Sequence, residues 1–333
     1  MHISVVGVGY WGPNLVRNFL SHPKIESVTC VDISRKRLDQ VQRQFPSIAV
    51  STDFEQVLRD PALQAVAIAT PVETHFDLAA RAIKAGKHVF VEKPMTRTVA
   101  ESQGLVDLAK THNRVLMVDH TFLFTSAIQK VKEVAVKGEL GQVLYFDSVR
   151  INLGLFQSDV NVIWDLAPHD LSIMLHLLDE VPTAVQATGM AHFKEGMENT
   201  AYLTVFFEEK LLASFHLSWL SPVKVRRIIL GGDRRMIVFD DMESNEKVKI
   251  YDKGVETLAG DTSGYDTRVQ YRIGDIHVPA LENKEALAGE LSHFLDCIEN
   301  GQKPLCDGES GLWVVKILEA AQASLESGQR VRL

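Results

Sequence analysis

The chain has 333 residues, of which 46% are hydrophobic and 23% charged, and this balance is typical of a soluble globular protein with a sizeable core. Its net charge of −8 argues against nucleic acid or an anionic membrane as the main partner, because both favour a basic surface. Neither a secretory signal nor a membrane-spanning run is visible, and the three cysteines lack metal-like spacing, so we expect reduced thiols in a cytoplasmic protein of about two domains.

Residues 1–121 are predicted to form a dinucleotide-binding Rossmann domain. Short apolar runs alternate with amphipathic helical stretches along this segment. Runs that are apolar on both faces are typical of a parallel sheet covered by helices on both sides. Right-handed crossovers then favour a doubly wound α/β fold. The predicted strands contain the sequences HISVVGVG, SVTCVDI, AVAIAT, HVFVEKP and RVLMVDH.

Residues 122–333 are predicted to form an α+β domain for substrate binding and oligomerisation, with a large, mostly antiparallel open sheet. Several strands follow one another here and alternate apolar with polar residues, as in a sheet with one exposed face. The sequence GGDRR at 231–235 is a hairpin-turn signal. The open face is apolar enough to join a homodimer or homotetramer, or it is covered by the C-terminal helices. Helices are predicted at about 126–137, 166–178, 283–299 and 308–327.

The first strand leads directly into GVGYWG and a helix, which is the context that a G-x-G-x-x-G fingerprint requires. Gly7 permits the tight turn, Gly9 lets the backbone approach a pyrophosphate, and Gly12 lets the helix pack closely on the strand. Tyr10 and Trp11 lie between these glycines, and we count them with the cofactor-binding residues.

Asp32 ends the second predicted strand, 20 positions after Gly12, which is the offset of an acid that binds the ribose hydroxyls of NAD. A carboxylate there repels a 2′-phosphate, although Arg35, Lys36 and Arg37 just beyond it could partly offset that repulsion. We therefore expect NAD, with NADP as the alternative cofactor. A cap on the following helix is the competing interpretation of Asp32.

Two further segments follow strands of the same sheet, at the edge that faces the ligand crevice in open parallel sheets. The sequence EKP at 92–94 comes after HVFV, and Lys93 held there beside a nicotinamide could polarise a substrate oxygen as hydride leaves. Thr70 and Pro71 come after AVAIA and would lie beside the cofactor, with His75 near the start of the next helix. Helix capping and surface positions are the alternatives.

The stretch NVIWDLAPHD at 161–170 opens a predicted helix. Asp165 is a residue type that favours the N-cap, and Pro168 would then fall in the first turn, where proline is tolerated. Asp165 and His169 are four positions apart and share a face if the helix begins at or before Asp165, an arrangement that suits a general acid/base. Capping alone, a core histidine and half of a metal site are the alternatives. We expect no metal, because no convincing third ligand lies nearby in the sequence.

In this order, GVGYWG, TPVETH, EKP and DLAPH resemble the motifs of the glucose–fructose oxidoreductase/inositol dehydrogenase (Gfo/Idh/MocA) family, over essentially the whole chain. The resemblance implies a Rossmann domain, a second domain with a large sheet, and NAD(P)-dependent hydride transfer to or from a carbon of a sugar, inositol or sugar derivative. It implies that Lys93 is the catalytic lysine, that His169 is the acid/base for the hydroxyl proton, and that Asp165 orients substrate and histidine. Residues expected around the cofactor are Thr70, Pro71, His75, Glu92, Pro94 and His120, the last standing where many members carry an asparagine-containing segment.

Within that family, the segments DVNVIWDLAPHDL and YRIGDIHVPALENKEAL look most like the branch that acts on nucleotide-linked sugars. That branch implies oxidation of a ring hydroxyl, often at position 3, in a nucleotide-linked hexose or hexuronate. The alternatives are a dehydrogenase of free inositol or free sugar, and a non-catalytic regulator that senses the cofactor on the same fold. Candidate substrate-side residues, beside Lys93, Asp165 and His169, are Arg150, Asn152, Trp164 and Tyr271, each of which could equally be structural.

Overall fold

A computed structural model of the chain describes residues 1–154, 156–157, 160–208, 211–257 and 269–333. It contains two compact units, one of Met1–Phe124 with Lys284–Lys316 and the other of Thr125–Asn283 with Ile317–Leu333. The boundary at Phe124 lies close to the expected one at residue 121, but residues 284–316, expected in the second domain, complete the first. They join it because their helix packs on the first helix of the chain and on the 3-10 turn at Thr121–Phe124.

The helices and strands alternate in the first part of the chain and then give way to a run of strands, as the sequence predicts. The strands are β1 (His2–Val6), β2 (Ser27–Val31), β3 (Ala49–Ser51), β4 (Leu63–Ile68), β5 (His88–Val91), β6 (Leu116–Val118), β7 (Val143–Leu153), β8 (Ala184–Met190), β9 (Thr200–Phe206), β10 (Leu212–Ser218), β11 (Leu220–Gly232), β12 (Met236–Asp240), β13 (Val248–Thr257), β14 (Val269–His277) and β15 (Val331–Arg332). The helices are α1 (Gly12–Ser21), α2 (Arg35–Gln44), α3 (Phe54–Leu58), α4 (His75–Lys84), α5 (Val99–Thr111), α6 (Ser126–Val136), α7 (Val162–Leu177), α8 (Ala286–Asn300) and α9 (Gly308–Ser327). None of the helices in the described residues is long and apolar enough to cross a membrane.

The first unit contains a parallel sheet with the strand order β3-β2-β1-β4-β5-β6. The order reverses between β1 and β4, so the doubly wound α/β fold is confirmed, and ligands bind at such a switch point beyond the carboxyl ends of the strands. Apolar side chains on both faces are buried, as the adjacent residues Ala67 and Ile68 of β4 and Phe90 and Val91 of β5 show. This burial explains why the strands read as continuous apolar runs.

The second unit contains a mixed sheet with the strand order β14-β13-β12-β11-β7-β10-β9-β8-β15. Its neighbouring strands are antiparallel except β7 and β10, which are parallel. The expectation of a large, mostly antiparallel sheet is thus confirmed. The hairpin signal GGDRR joins β11 to β12, with Gly231 opposite Met236. The strands β14 and β15 are elements that the sequence reading did not predict.

The two faces of the second sheet differ in exposure. Ala201, Leu203 and Val205 of β9 are buried, on a sheet against which α7 packs. The alternating side chain of Tyr202 is exposed and stacks on His216 of β10, with the ring centroids 4.5 Å apart. An exposed Leu212 also lies on β10. The alternation of buried and exposed side chains is that of a sheet with one open face.

Candidate active site

The glycine loop after β1 has the form that its fingerprint predicts. Gly7 has φ +89°, and a Cβ there would lie 2.6 Å from the carbonyl oxygen of Ala69. A Cβ on Gly12 would lie 2.1 Å from the carbonyl oxygen of Gly7, so the close approach of α1 to the loop requires glycine. A Cβ on Gly9 would meet nothing within 4 Å among the described residues. The first and third glycines therefore serve the protein's own packing, and the middle one leaves an open face that a pyrophosphate fits.

The helix α1 begins directly after this loop. Trp11 is its N-cap residue, and Pro13 lies in its first turn, as expected. An indole cannot accept a hydrogen bond, so the Trp11 side chain cannot satisfy the first backbone N–H groups of the helix. Those groups are suited to bind phosphate oxygens, together with the positive end of the helix dipole. Tyr10, in the same loop, is 93% exposed.

Asp32 is buried at the carboxyl end of β2 and faces the glycine loop. Its carboxylate accepts hydrogen bonds from the backbone N–H groups of Val8, at 3.0 Å, and Ser34, at 2.8 Å. The N-cap of α2 is Ser34, so the alternative in which Asp32 caps this helix is wrong. Arg37 lies 3.8 Å from the Asp32 carboxylate. A fixed carboxylate beside the glycine loop is in keeping with recognition of the ribose hydroxyls of NAD.

His75 is a buried residue at the start of α4. Its imidazole contacts both the loop after β4 and the loop after β5. Its Nε2 lies 2.8 Å from the carbonyl oxygen of Thr70, and its Nδ1 lies 3.0 Å from that of Pro94. Burial lowers the pKa of the imidazole, and the two carbonyl groups oppose that shift. The surface alternative for His75 is therefore wrong. Its contact with the cofactor stays a prediction, and the structure shows it connecting the segments after β4 and β5.

The EKP segment follows β5, at the same edge of the sheet, with the Lys93–Pro94 peptide bond cis. The Glu92 Oε1 atom is buried. Burial raises the pKa of Glu92 well above its ordinary value, and the charge of Asp119 raises it further. His120 is also buried, and burial lowers its pKa to about 4, so its imidazole is neutral at physiological pH.

Asp119 and Glu290 belong to this region and were missed by the sequence reading. Asp119 follows β6 and is 3% exposed, and Glu290 is a fully buried residue of α8. The pKa of Glu290 is raised well above its ordinary value by burial and then by the charge of Asp119. The Asp119 carboxylate accepts a hydrogen bond from Nε1 of Trp11 at 3.0 Å. Glu290 lies far along the chain from the other residues, so no local sequence signal reveals the cluster.

The helix α7 of the second unit carries the expected Asp165 and His169, but it begins earlier than predicted. Its N-cap is Asn161, whose side-chain oxygen accepts from the N–H groups of Ile163 and Trp164, each at 3.2 Å. Asp165 is therefore not the N-cap, and Pro168 is not in the first turn. The sequence reading placed the start too late, because the apolar residues that precede Asp165 are themselves helical.

The earlier start places Asp165 and His169 on one face of α7, one helical turn apart. The Asp165 carboxylate accepts a hydrogen bond from Nε1 of Trp219 at 3.0 Å, and this indole is almost completely buried. A rigid donor holds the carboxylate in one orientation, and a carboxylate near an imidazole supports acid/base chemistry. Trp219, between β10 and β11, was not among the predicted site residues, because only the tertiary structure brings it to Asp165.

The four candidate substrate residues differ in their surroundings. Arg150 is 4% exposed, and its guanidinium donates to both carboxylate oxygens of Asp170, at 2.9 and 2.6 Å. This buried bidentate pair gives Arg150 a structural role within the second unit. Tyr271, on β14, is 74% exposed. Asn152 and Trp164 are half-buried, so their side chains retain surface for a ligand.

The described residues contain no group of three or more His, Cys, Asp or Glu side chains arranged to hold a metal ion.

Comparison with known families decides the class of the protein. The family described as oxidoreductase family, NAD-binding Rossmann fold, matches residues 1–120, and the GFO/IDH/MocA C-terminal domain matches residues 128–238. The chain belongs to the Gfo/Idh/MocA family. The fold class, the NAD-binding Rossmann domain and the assignment as a dehydrogenase are thereby confirmed.

Relatives in this family act on sugars and inositols. A UDP-N-acetylglucosamine 3-dehydrogenase of Acidithiobacillus ferrooxidans is 27% identical over 98% of this chain and 98% of its own. A scyllo-inositol 2-dehydrogenase (NAD(+)) of Bacillus subtilis is 26% identical over 99% of this chain and 95% of its own. A solved structure of the UDP-N-acetylglucosamine 3-dehydrogenase superimposes with a TM-score of 0.81 at 25% identity and covers 98% of both chains.

Proposed function

We propose that this Gfo/Idh/MocA member oxidises a ring hydroxyl of a nucleotide-linked sugar with NAD. The observation that carries the chemistry is the pair of Asp165 and His169 on one face of α7, with Asp165 held by the indole of Trp219. A carboxylate with a fixed orientation, one turn from an imidazole, is what a proton-accepting histidine requires.

In the proposed mechanism, the hydride passes to NAD and His169 accepts the proton. When bound, NAD supplies the nicotinamide carbon that accepts a hydride from the ring carbon. His169 takes the proton of the hydroxyl as the oxygen becomes a carbonyl, and Asp165 stabilises the charged imidazole. The proposed role of Lys93 is to stabilise the negative charge that develops on the substrate oxygen. In the reverse direction, His169 returns the proton.

The cofactor loop supports NAD binding in this proposal. Gly9 leaves room for the pyrophosphate, and Asp32 presents a carboxylate for the ribose hydroxyls. The same carboxylate repels a 2′-phosphate, so we propose NAD rather than NADP as the working cofactor. Thr70, Pro71 and His120 remain proposed neighbours of the nicotinamide half.

The proposed substrate class rests on similarity along the whole chain. The UDP-N-acetylglucosamine 3-dehydrogenase matches 98% of this chain, including the stretches 159–171 and 271–287 that suggest a nucleotide-sugar substrate. Similarity to a scyllo-inositol 2-dehydrogenase is comparable in identity and coverage, so free inositol is the second candidate substrate.

A substrate panel separates the two classes. The purified protein is mixed with NAD and either UDP-linked hexoses and hexuronates or free inositols and free sugars, and the absorbance of reduced nicotinamide is followed. We expect kcat/KM to be highest for a UDP-linked sugar. Faster turnover of scyllo-inositol or myo-inositol would assign the protein to the inositol dehydrogenases instead.

We also propose that the exposed face of the second sheet joins copies of the chain into a dimer or tetramer. The support is the exposed apolar surface of Tyr202 and Leu212, which lie on the neighbouring strands β9 and β10 of that face. Light scattering on the wild type and on Tyr202→Glu tests it. A monomeric wild type would contradict the proposal.

A further inference from the structure

We propose that Asp119 is a positioning residue for the cofactor: its carboxylate holds Trp11, and with it the start of α1, where the first turn can bind the pyrophosphate of NAD. The inference concerns cofactor binding alone and does not depend on which sugar the enzyme oxidises. It assigns a task to Asp119, a residue outside the fingerprint of the cofactor loop.

The first step is the place of Trp11, which lies at the end of the cofactor loop, at the start of α1. Trp11 is the residue directly before α1, and its carbonyl oxygen accepts a hydrogen bond from the N–H of Asn14 at 2.8 Å. Its indole Nε1 donates to Oδ2 of Asp119 at 3.0 Å. Because the backbone of Trp11 is part of the helix start, fixing the indole also fixes the direction of the first N–H groups of α1.

The second step is the rigidity of Asp119. It follows β6, its backbone N–H donates to the carbonyl oxygen of Val91 at 2.8 Å, and its side chain is buried. The hydroxyl of Thr121 donates to its other carboxylate oxygen, Oδ1. The two oxygens therefore serve two donors from different segments, and the carboxylate cannot rotate without losing one of them.

The third step is the protonation of the neighbouring acids. Glu92 and Glu290 are buried beside Asp119, and both have a pKa raised well above the ordinary value because of burial and of Asp119. A protonated carboxyl group donates a hydrogen bond to a carboxylate rather than competing with it for donors. The Asp119 carboxylate accepts hydrogen bonds from Trp11 and Thr121, and the two glutamates with raised pKa values add little negative charge beside it.

Losing this hydrogen bond should release the loop and weaken cofactor binding. A hydrogen bond to a charged group contributes ~1.5–3 kcal/mol, which corresponds to roughly 10- to 100-fold in affinity. Other contacts of the loop, such as that of Val8 with Asp32, remain in place, so we expect the lower end of that range.

The experiment is a double-mutant cycle on NADH affinity, measured by isothermal titration with no sugar present. The variants are Trp11→Phe, Asp119→Leu, which keeps the size of the side chain and removes the acceptor, and the double variant. Each single variant should weaken NADH binding about tenfold. The double variant should bind NADH no more weakly than the weaker-binding single variant, because both changes remove the same hydrogen bond. In turnover with saturating sugar and varied NAD, the KM for NAD should rise more than kcat falls.

Trp313→Phe is the matched control, because its indole belongs to α9, where the ammonium of Lys316 lies over its ring, and it is part of neither the cofactor loop nor the Trp11–Asp119 pair. The change should leave NADH affinity intact. Wild-type affinity in Trp11→Phe, or effects of the two single changes that multiply in the double variant, would overturn the proposal. If Asp119→Leu fails to fold, Trp11→Phe alone still decides, since it removes one N–H donor and little volume. Failure of the sugar assay leaves this test unaffected.

Discussion

The indole nitrogen of Trp219 lies 3.0 Å from the Asp165 carboxylate, one helical turn before His169. This hydrogen bond gives Asp165 a fixed orientation that an exposed carboxylate on a helix surface lacks. The proposed proton-handling pair therefore depends on a buried aromatic residue from another element.

Replacing His169 by Asn should remove the proton acceptor while retaining a polar side chain. General acid–base catalysis contributes about 10²–10⁴-fold, so kcat should fall by that order. The affinity for NADH should not change, because His169 is assigned to the substrate hydroxyl. His176→Asn, farther along the same helix, is the control and should keep most of the activity. An active His169→Asn enzyme would remove His169 from the mechanism.

Replacing Lys93 by Met should keep the length of the side chain and remove its charge. We expect kcat with the sugar to fall by ~10²-fold or more, because the oxygen loses the group that stabilises its developing charge. Steady-state kinetics and NADH titration give the two readouts. If Lys93→Met turned over at the wild-type rate with the same NADH affinity, the lysine would have no catalytic role.

Replacing Trp219 by Phe should remove the donor to Asp165 and keep a buried aromatic ring. A neutral donor to a carboxylate contributes ~1.5–3 kcal/mol, and a misplaced acid/base pair is sensitive to small shifts, so kcat should fall by about tenfold or more. Asp165→Asn is the informative companion, since its amide oxygen still accepts from the indole but carries no charge. Unchanged kcat in Trp219→Phe would show that the hydrogen bond serves stability alone.

Replacing Glu290 by Gln should change how stability depends on pH. The pKa of Glu290 in the folded protein is raised above its unfolded value of ~4.3, so its stabilising contribution is present below that value and is lost as pH rises through the folded pKa. Glutamine cannot ionise, so the melting temperature of the variant should fall less steeply towards alkaline pH, with a gain of a few degrees near its upper end. Glu73→Gln, at an exposed position, is the control. If the melting temperatures of wild type and Glu290→Gln changed with pH in the same way, this account would be contradicted.

Replacing Asp32 by Asn should shift the preference between cofactors. The amide keeps an acceptor for the Val8 N–H but removes the charge that repels a 2′-phosphate. The ratio of kcat/KM for NADP to that for NAD should rise on the order of tenfold, or ~1.4 kcal/mol. Asp39→Asn, at an exposed position on α2, is the control and should leave the ratio unaltered. If Asp32→Asn also left the ratio unaltered, Asp32 would not select the cofactor.

Much of the nucleotide unit could be predicted because its signals are local. The fingerprint GVGYWG combines a turn, a close approach and a helix start within six residues, and the apolar runs mark the parallel strands. The contribution of α8 could not be predicted. Glu290 reaches the carboxyl ends of the first sheet only because α8 folds back onto α1, a long-range contact that local pattern does not encode.

The start of α7 shows a smaller failure with a clear cause. Asp165 and Asn161 are both good capping residues, and the choice between them depends on whether the intervening Val162, Ile163 and Trp164 are helical. In the structure, Val162 and Ile163 are buried by the fold, which favours the earlier start. Asp165 and His169 are four positions apart, so they share a helix face whether the helix begins at Asn161 or at Asp165. The hydrogen bond from Trp219 depends on tertiary structure and had no sequence signal.

Transfer of a labelled hydride tests the central claim most directly. The protein is incubated with NAD and UDP-N-acetylglucosamine that carries deuterium at ring carbon 3. The mass of the reduced cofactor is then measured by mass spectrometry. The proposal predicts deuterium in the reduced cofactor, and little reduced cofactor when His169→Asn replaces the wild type. Reduced cofactor without deuterium would place the oxidation at another carbon, and no reduction with any UDP-linked sugar would contradict the proposed function.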